Sequence, residues 1–273
     1  NAKTGGAPFQ RYEANLPTRQ QGTADNEGAL SQWDISYGAS YLSKFYVGLG
    51  LHFSKINATS TTFWQEEFVG ANYVAGLQYQ EKLVNTGSGI SATLGMIYKL
   101  TSNLRASLAL HTPMFFDQMN ERYDATLNPR VFGIPSFDSK GNPITITRVG
   151  AVKLTPNEFT YQLTTPFKIS GGAAYFFGKR GLLSLDLEYV NYPGMRVSSA
   201  ELSATDNINF ENKYNGQTQK NFQSALNIKL GTEIRLSANF NLRGGVATWG
   251  NSYSPTYDSI DRTVLQISGG LGY

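Results

Sequence analysis

Residues 224–236 read Ser-Ala-Leu-Asn-Ile-Lys-Leu-Gly-Thr-Glu-Ile-Arg-Leu. On an extended chain, successive side chains point to opposite faces. Leu226, Ile228, Leu230, Ile234 and Leu236 therefore share one face, and Asn227, Lys229, Gly231, Glu233 and Arg235 share the other. The same two-sidedness marks 104–112, where Leu104, Ala106, Leu108 and Leu110 alternate with Arg105, Ser107, Ala109 and His111. These segments read as strands with one greasy and one wet side, and the fold turns on which side faces outward.

Composition turns the greasy side out. A soluble sandwich also alternates, but it places bulky apolar residues on its core side and many Lys and Glu on its water side. Here 16% of residues are charged, while Gly numbers 28, Tyr 16 and Phe 16. So thin a coat of charge, with so many aromatics, suits a transmembrane β-barrel with aromatic girdles and a polar lumen. Mean hydropathy is still −0.30, because half of each strand is polar. No stretch approaches the roughly 18 apolar residues of a membrane helix. Hydrocarbon tolerates no unpaired backbone edge, so a membrane protein built of strands closes into a barrel. The expected fold is all-β, a transmembrane antiparallel barrel in one domain over 1–273.

Other totals exclude chemistry. With Cys 0, disulfides, thiolate metal sites and cysteine nucleophiles are out. Two histidines, His52 and His111, leave little for a metal cluster. The net charge of +3 is dispersed, with no basic run for nucleic acid. No cofactor is expected.

Alternation and breakers together give about nine strands, over 32–41, 45–57, 87–99, 104–126, 158–177, 182–197, 220–236, 240–249 and 263–273. The connections at 42–44, 100–103, 178–181 and 237–239 are short and polar or Gly-bearing; those at 58–86, 127–157, 198–219 and 250–262 are long. Short turns on one rim and long loops on the other are the build of outer-membrane barrels, with the short set periplasmic. The first strand then descends from the extracellular side. Bacterial barrels start from the periplasm with an even strand count, so the chain is expected to be an incomplete wall. Residues 1–30 read as an irregular extracellular segment and 206–222, rich in Asn, as polar loop. Residues 65–84 read as either a strand extension or a short helix, and 144–153 as a small hairpin.

The same alternation puts Lys99, Arg105, Asp186, Glu188, Lys229, Glu233, Arg235 and Arg243 on the polar face. Most lie within one barrel half of a short turn, since a tilted strand climbs roughly 2.3 Å per residue along the axis. One reading makes this belt a cage that seats a plug and meets a substrate carboxylate through its Arg and Lys members. The other makes it a set of cross-strand pairs that stiffen the wall. His111 shares that face and reads as a satisfied lumen histidine, since no partner stands at a fixed spacing. Pro113 and Pro166 each remove a ladder donor from an otherwise good strand. They are candidate wall kinks, read either as a gap or as bulges near the rim. Trp33, Tyr37, Tyr41, Phe45, Tyr98, Tyr175, Phe177, Tyr189 and Tyr192 read as interface girdles.

Several phrases also occur together in one family. Gly87-Ser88-Gly89-Ile90, then Leu94-Gly95-Met96-Ile97-Tyr98-Lys99, Asn103-Leu104-Arg105 and Leu108-Ala109-Leu110-His111-Thr112-Pro113 resemble the OmpP1/FadL/TodX family of outer-membrane transporters in its Bacteroidetes branch. So do Tyr161-Gln162-Leu163-Thr164-Thr165-Pro166, the run from Gly171 to Lys179, and Leu183 to Tyr192. The resemblance covers most of 30–273, in order and spacing as well as content. It implies a fourteen-stranded barrel plugged by an N-terminal hatch, carrying long-chain fatty acids or other hydrophobic molecules and often releasing them sideways into the membrane. The hatch and first strands have no counterpart here, and the last strands are expected to lie beyond Tyr273. The strands present match four to twelve of fourteen, or six to fourteen.

The function expected is passive uptake of hydrophobic small molecules, without catalysis. Expected partners are the hydrophobic ligand, outer-membrane lipid and lipopolysaccharide, and at most a surface protein. Two rivals stand beside it: a barrel of the same fold that handles protein, such as the shuttle of the type IX secretion apparatus, and an outer-membrane hydrolase.

Overall fold

The computed structural model describes residues 17–70, 73–237 and 239–273. Long strands β1 (Arg19–Tyr41), β2 (Phe45–Glu67) and β3 (Val74–Lys99) come first. Next, β4 (Leu104–His111) and β5 (Phe115–Val131) are separated only by Thr112-Pro113-Met114. A hairpin of β6 (Ile134–Phe137) and β7 (Pro143–Ile146) and the short β8 (Val152–Lys153) follow. Then β9 (Asn157–Thr164) and β10 (Lys168–Phe176) are separated only by Thr165-Pro166-Phe167. After β11 (Gly181–Val190) come a 3-10 turn (Tyr192–Gly194), β12 (Arg196–Ser198) and the helix α1 (Ala204–Asn221). β13 (Ala225–Arg235), β14 (Asn241–Trp249) and β15 (Val264–Gly272) end the chain.

The residues cluster into two units, and β1, β2, β3, β5 and β9 contribute to both. The larger comprises Leu30–Lys55, Gly87–Met119 and Thr160–Tyr273. Its sheet runs β1-β2-β3-β4-β10-β11-β13-β14-β15, and β1 and β15 each pair with one neighbour among the described residues. The registers from β3 through β15 are antiparallel without exception. One outward rung runs Leu108, Gly171, Leu187, Ile228, Thr248, Leu265. The inward rung beside it runs Ser107, Gly172, Asp186, Lys229, Ala247, Gln266.

The apolar face is bare in this unit. Leu49, Leu94, Leu110, Leu183, Leu185, Leu187, Leu226 and Leu230 are all exposed, although in water their burial would be worth roughly 1.5–3 kcal/mol each. A sheet that leaves these side chains outside is suited to a hydrocarbon solvent. Among the buried apolar residues, Phe116 and Met119 pack against Gly89 and Gly87 of β3. A Cβ on Gly89 would lie 2.8 Å from the Phe116 ring, so the two glycines make room for these side chains.

In the smaller unit β2 and β3 run on as far as Glu67 and Val74. The long loop expected at 58–86 is therefore mostly paired strand, and within 65–84 the stretches 65–67 and 74–84 are strand extensions rather than a helix. The first thirty residues are likewise not irregular throughout, for β1 begins at Arg19. Its polar start carries no alternation and is placed by β2: Thr18 N donates to Glu67 O at 2.8 Å, and Gln20 Nε2 to Glu66 Oε1 at 2.7 Å. Residues 1–16 of that segment lie outside the described residues. The loop hairpin forms at 134–146, ahead of the 144–153 expected, and β8 pairs instead with β5.

Two local details depart from plain turn chemistry. The β1–β2 turn is closed by Lys44 N to Tyr41 O at 3.1 Å, with Leu42 at φ 49 and Ser43 at φ 52. That is the twist a two-residue hairpin demands, here taken by residues that prefer negative φ. The expected polar loop at 206–222 is the helix α1. Ser203 caps it, accepting from Asp206 N at 3.2 Å, and Lys220 sits in the last turn. Its asparagines serve as backbone partners: Asn207 Oδ1 accepts from Ser199 N at 2.7 Å, and Asn215 both accepts from Val197 N and donates to Val197 O.

Candidate functional site

The registers bring Lys99, Arg105, His111, Asp186, Glu188, Lys229, Glu233, Arg235 and Arg243 onto one face of the larger unit's sheet. There they are distributed in twos. Lys99 stands opposite Arg105, and each lies over a ring, Lys99 Nζ 5.1 Å from the Tyr46 centroid and the Arg105 guanidinium 4.3 Å from that of Phe176. Asp186 stands opposite Lys229. Glu188 accepts from Asn227 Nδ2 at 2.7 Å, and Arg243 Nε donates to Glu233 at 2.6 Å. Arg235 faces Asn241. Gly172 leaves the space into which the Asp186 carboxylate leans toward Ser107. None of these charged residues lines the cavity on this face, which is lined instead around His111.

That cavity lies where two strands break side by side. Pro113 and Pro166 each follow a threonine and end a strand, and β5 and β9 are neighbours. Threonine hydroxyls supplement the backbone bonds that remain, Thr112 N to Ala92 O at 2.9 Å among them. Ala92 N donates to Thr112 Oγ1 at 2.9 Å, and Met114 N donates to Thr165 Oγ1 at 2.8 Å. Thr165 N still reaches Met114 O at 3.0 Å. The cavity beside this break has a volume of about 350 Å3, and its lining includes Gln32, His52, Thr93, His111, Thr165 and Lys168.

A chain of side chains crosses four strands at the cavity wall. Asp34 Oδ1 lies 2.5 Å from His52 Nδ1, His52 Nε2 lies 2.8 Å from Thr93 Oγ1, and Thr93 Oγ1 lies 3.0 Å from His111 Nδ1. Gln32 Nε2 donates to Asp34 at 2.7 Å, and Ser54 Oγ donates to Gln32 Oε1 at 3.1 Å. Gly50 lets the His52 ring lie close over its own strand, since a Cβ there would meet the ring at 3.3 Å. Lys168 is the register partner of His111. His111 thus has the partner that sequence spacing does not reveal, a threonine, and the chain's two histidines belong to one network. Asp34, His52, Thr93 and Lys168 all occupy polar positions of the alternation, which was the available signal; nothing in the sequence sets the register that joins them.

Two further features frame this site. On the opposite face Gly171 opens an apolar groove of about 440 Å3 between Leu108, Leu187 and Tyr189. In the loop before β15, Arg262 stacks on Tyr253 at 4.7 Å and grips Asp258 with bonds of 2.7 and 2.6 Å. The Arg262 hydrogen bonds hold the Asp258 carboxyl below its ordinary value.

The fold has solved counterparts. The Ralstonia pickettii toluene transporter TbuX matches with a TM-score of 0.53 and 13% identity, over 90% of this chain and 59% of its own. A Pseudomonas aeruginosa FadL homologue matches with a TM-score of 0.52 and 13% identity, over 84% of this chain and 51% of its own. The chain thus spans little more than half the length of either. No family model and no curated protein matches the sequence. At such identities the likeness is one of fold, and it agrees with the antiparallel registers and the bare apolar face: the chain is a stretch of FadL-like β-barrel wall.

Proposed function

We propose that this chain forms part of an outer-membrane channel through which hydrophobic small molecules, long-chain fatty acids among them, pass passively. The observation that carries the reading is the paired strand break at Pro113 and Pro166, set in a wall whose outward face is continuous grease. A polar-lined lumen must let an apolar solute leave, and the paired break, where a backbone bond and a threonine hydroxyl join Met114 and Thr165, is the place where the wall parts most cheaply toward lipid. The groove at Gly171 gives that solute an apolar surface on the lipid side. The outward leucines meet lipid chains, and the long loops on the other rim meet lipopolysaccharide. The work is binding and release, with no bond made or broken.

The test is uptake into liposomes by the reconstituted protein, using labelled fatty acid and, separately, labelled toluene. Replacing both prolines by alanine restores the two missing ladder donors, and uptake is expected to fall several-fold with the barrel still folded. Uptake equal to empty liposomes for the unaltered protein, together with a large protein that co-purifies with it, would favour the protein-handling reading instead.

A further inference from the structure

The network at the break has a property that follows from counting its protons. A carboxylate only accepts, so His52 Nδ1 carries a hydrogen and donates to Asp34. Thr93 has one hydroxyl proton to give and stands between two ring nitrogens, His52 Nε2 and His111 Nδ1. Two arrangements keep that proton within the chain and satisfy every bond with His111 uncharged. In the first, Thr93 donates to a bare His52 Nε2 and accepts from His111 Nδ1–H; His111 is then neutral with a bare Nε2, an acceptor. In the second, His52 has taken up one more proton and donates from Nε2 to Thr93; Thr93 donates to His111 Nδ1, and the hydrogen of His111 moves to Nε2, a donor. Among the described residues His111 Nε2 makes no hydrogen bond, and His111 lines the cavity.

From this geometry we infer that the cavity binds the single polar atom of an otherwise hydrophobic ligand, and that uptake of one proton by the Asp34–His52–Thr93–His111 chain inverts what it accepts. With the chain neutral it favours a ligand that donates, such as an alcohol, phenol or protonated acid. With the proton added it also takes ligands that only accept, such as ketones and esters. The charges around the chain decide where the added proton rests. Asp34 on β1 faces His52, whereas Lys168 on β10 stands opposite His111. Glu188 on β11 acts on His111 from farther off and is held by Asn227, and β3 contributes only hydroxyls, Ser91 and Thr93. Coulombic attraction therefore puts the added charge on His52 beside its carboxylate, and Thr93 transmits the change to His111, which stays neutral.

The inference rests on the channel reading for its ligand, and its test separates the two. The purified protein in detergent is titrated with decyl alcohol and with a methyl ketone of equal chain length, at about pH 8 and about pH 5, either side of the ordinary imidazole value. An alcohol can donate or accept, so its affinity is expected to change little. The ketone is expected to gain about tenfold at the lower pH, the worth of one hydrogen bond. In Thr93→Val the gain disappears while alcohol binding persists. A ketone-to-alcohol ratio that is flat with pH in the unaltered protein, or that rises equally in Thr93→Val, overturns the inference. Nitrogen NMR of labelled histidine reads the switch without any ligand: His111 Nε2 passes from unprotonated to protonated over the same range. If neither ligand binds at either pH, the channel reading fails and the nitrogen spectrum still decides, an unchanged Nε2 overturning the switch.

Discussion

The sheet has a regular region and an interrupted one, and they treat their polar groups in opposite ways. Through β10, β11, β13 and β14 the ladders run unbroken, and the inward charges meet their complements across the rungs: Asp186 opposite Lys229, Glu188 on Asn227, Glu233 on Arg243. At Thr112–Met114 and Thr165–Phe167 the regular ladder is interrupted, and threonine hydroxyls supplement the backbone bonds that remain. There His111 keeps one ring nitrogen uncommitted among the described residues, at the wall of the cavity. The interrupted place holds the cavity and a ring nitrogen with bonding capacity left over, which makes it, ahead of the belt of charge, the candidate site.

The sharpest way to break the comparison is to put a charge on the regular region's outward face. Leu187→Lys sets an ammonium on the outward rung between Gly171 and Ile228. Near the bilayer midplane this is expected to cost about 2–4 kcal/mol, read by denaturant unfolding in lipid vesicles. Gln266→Lys on the inward rung, at an exposed position opposite Ala247, is expected to cost far less. Equal losses for both would mean that the two faces do not have the solvents assigned to them.

How much of this was legible in the sequence follows the range of each interaction. Alternation in 224–236 gave β13 and its inward set, because one strand's faces depend only on that strand. The short turns and the Thr-Pro breaks are equally local. The start of β1 at Arg19 was hidden, because a polar strand without alternation exists through its partner, Glu66 and Glu67 of β2. Helix α1 carried a local sign in Ser203 and Asp206, but its five asparagines read as loop until Asn207 and Asn215 are seen bonding the backbone of Ser199 and Val197. The Asp34–His52–Thr93–His111 chain joins positions 18, 41 and 18 residues apart. Those separations come from the lengths of hairpins, which no motif encodes.

The interrupted region can be sharpened at its staple. Thr165→Val keeps the side chain's shape and removes the oxygen that accepts from Met114 N at 2.8 Å. Both residues are half-buried, so the amide is left poorly paired, and about 1–3 kcal/mol of stability is expected to be lost. The same change should speed amide exchange at Met114 while leaving exchange in β11 and β13 untouched. Exchange that accelerates across the whole sheet would show that the break is not a separate opening unit.

The smallest effect belongs to the regular region's own ion pair. Arg243 Nε donates to Glu233 at 2.6 Å, but the two side chains are 58% and 32% exposed. Water and salt screen such a pair, and its measured worth is expected to be about 0.2–1 kcal/mol. Arg243→Ala tests this by unfolding at low and high salt, with the difference from the unaltered protein shrinking as salt rises. A loss of several kcal/mol, or one indifferent to salt, would mean that Arg243 is bound to something beyond Glu233, such as a segment seated on the polar face. A small, salt-screened loss instead is the mark of a pair that only stiffens the wall between β13 and β14.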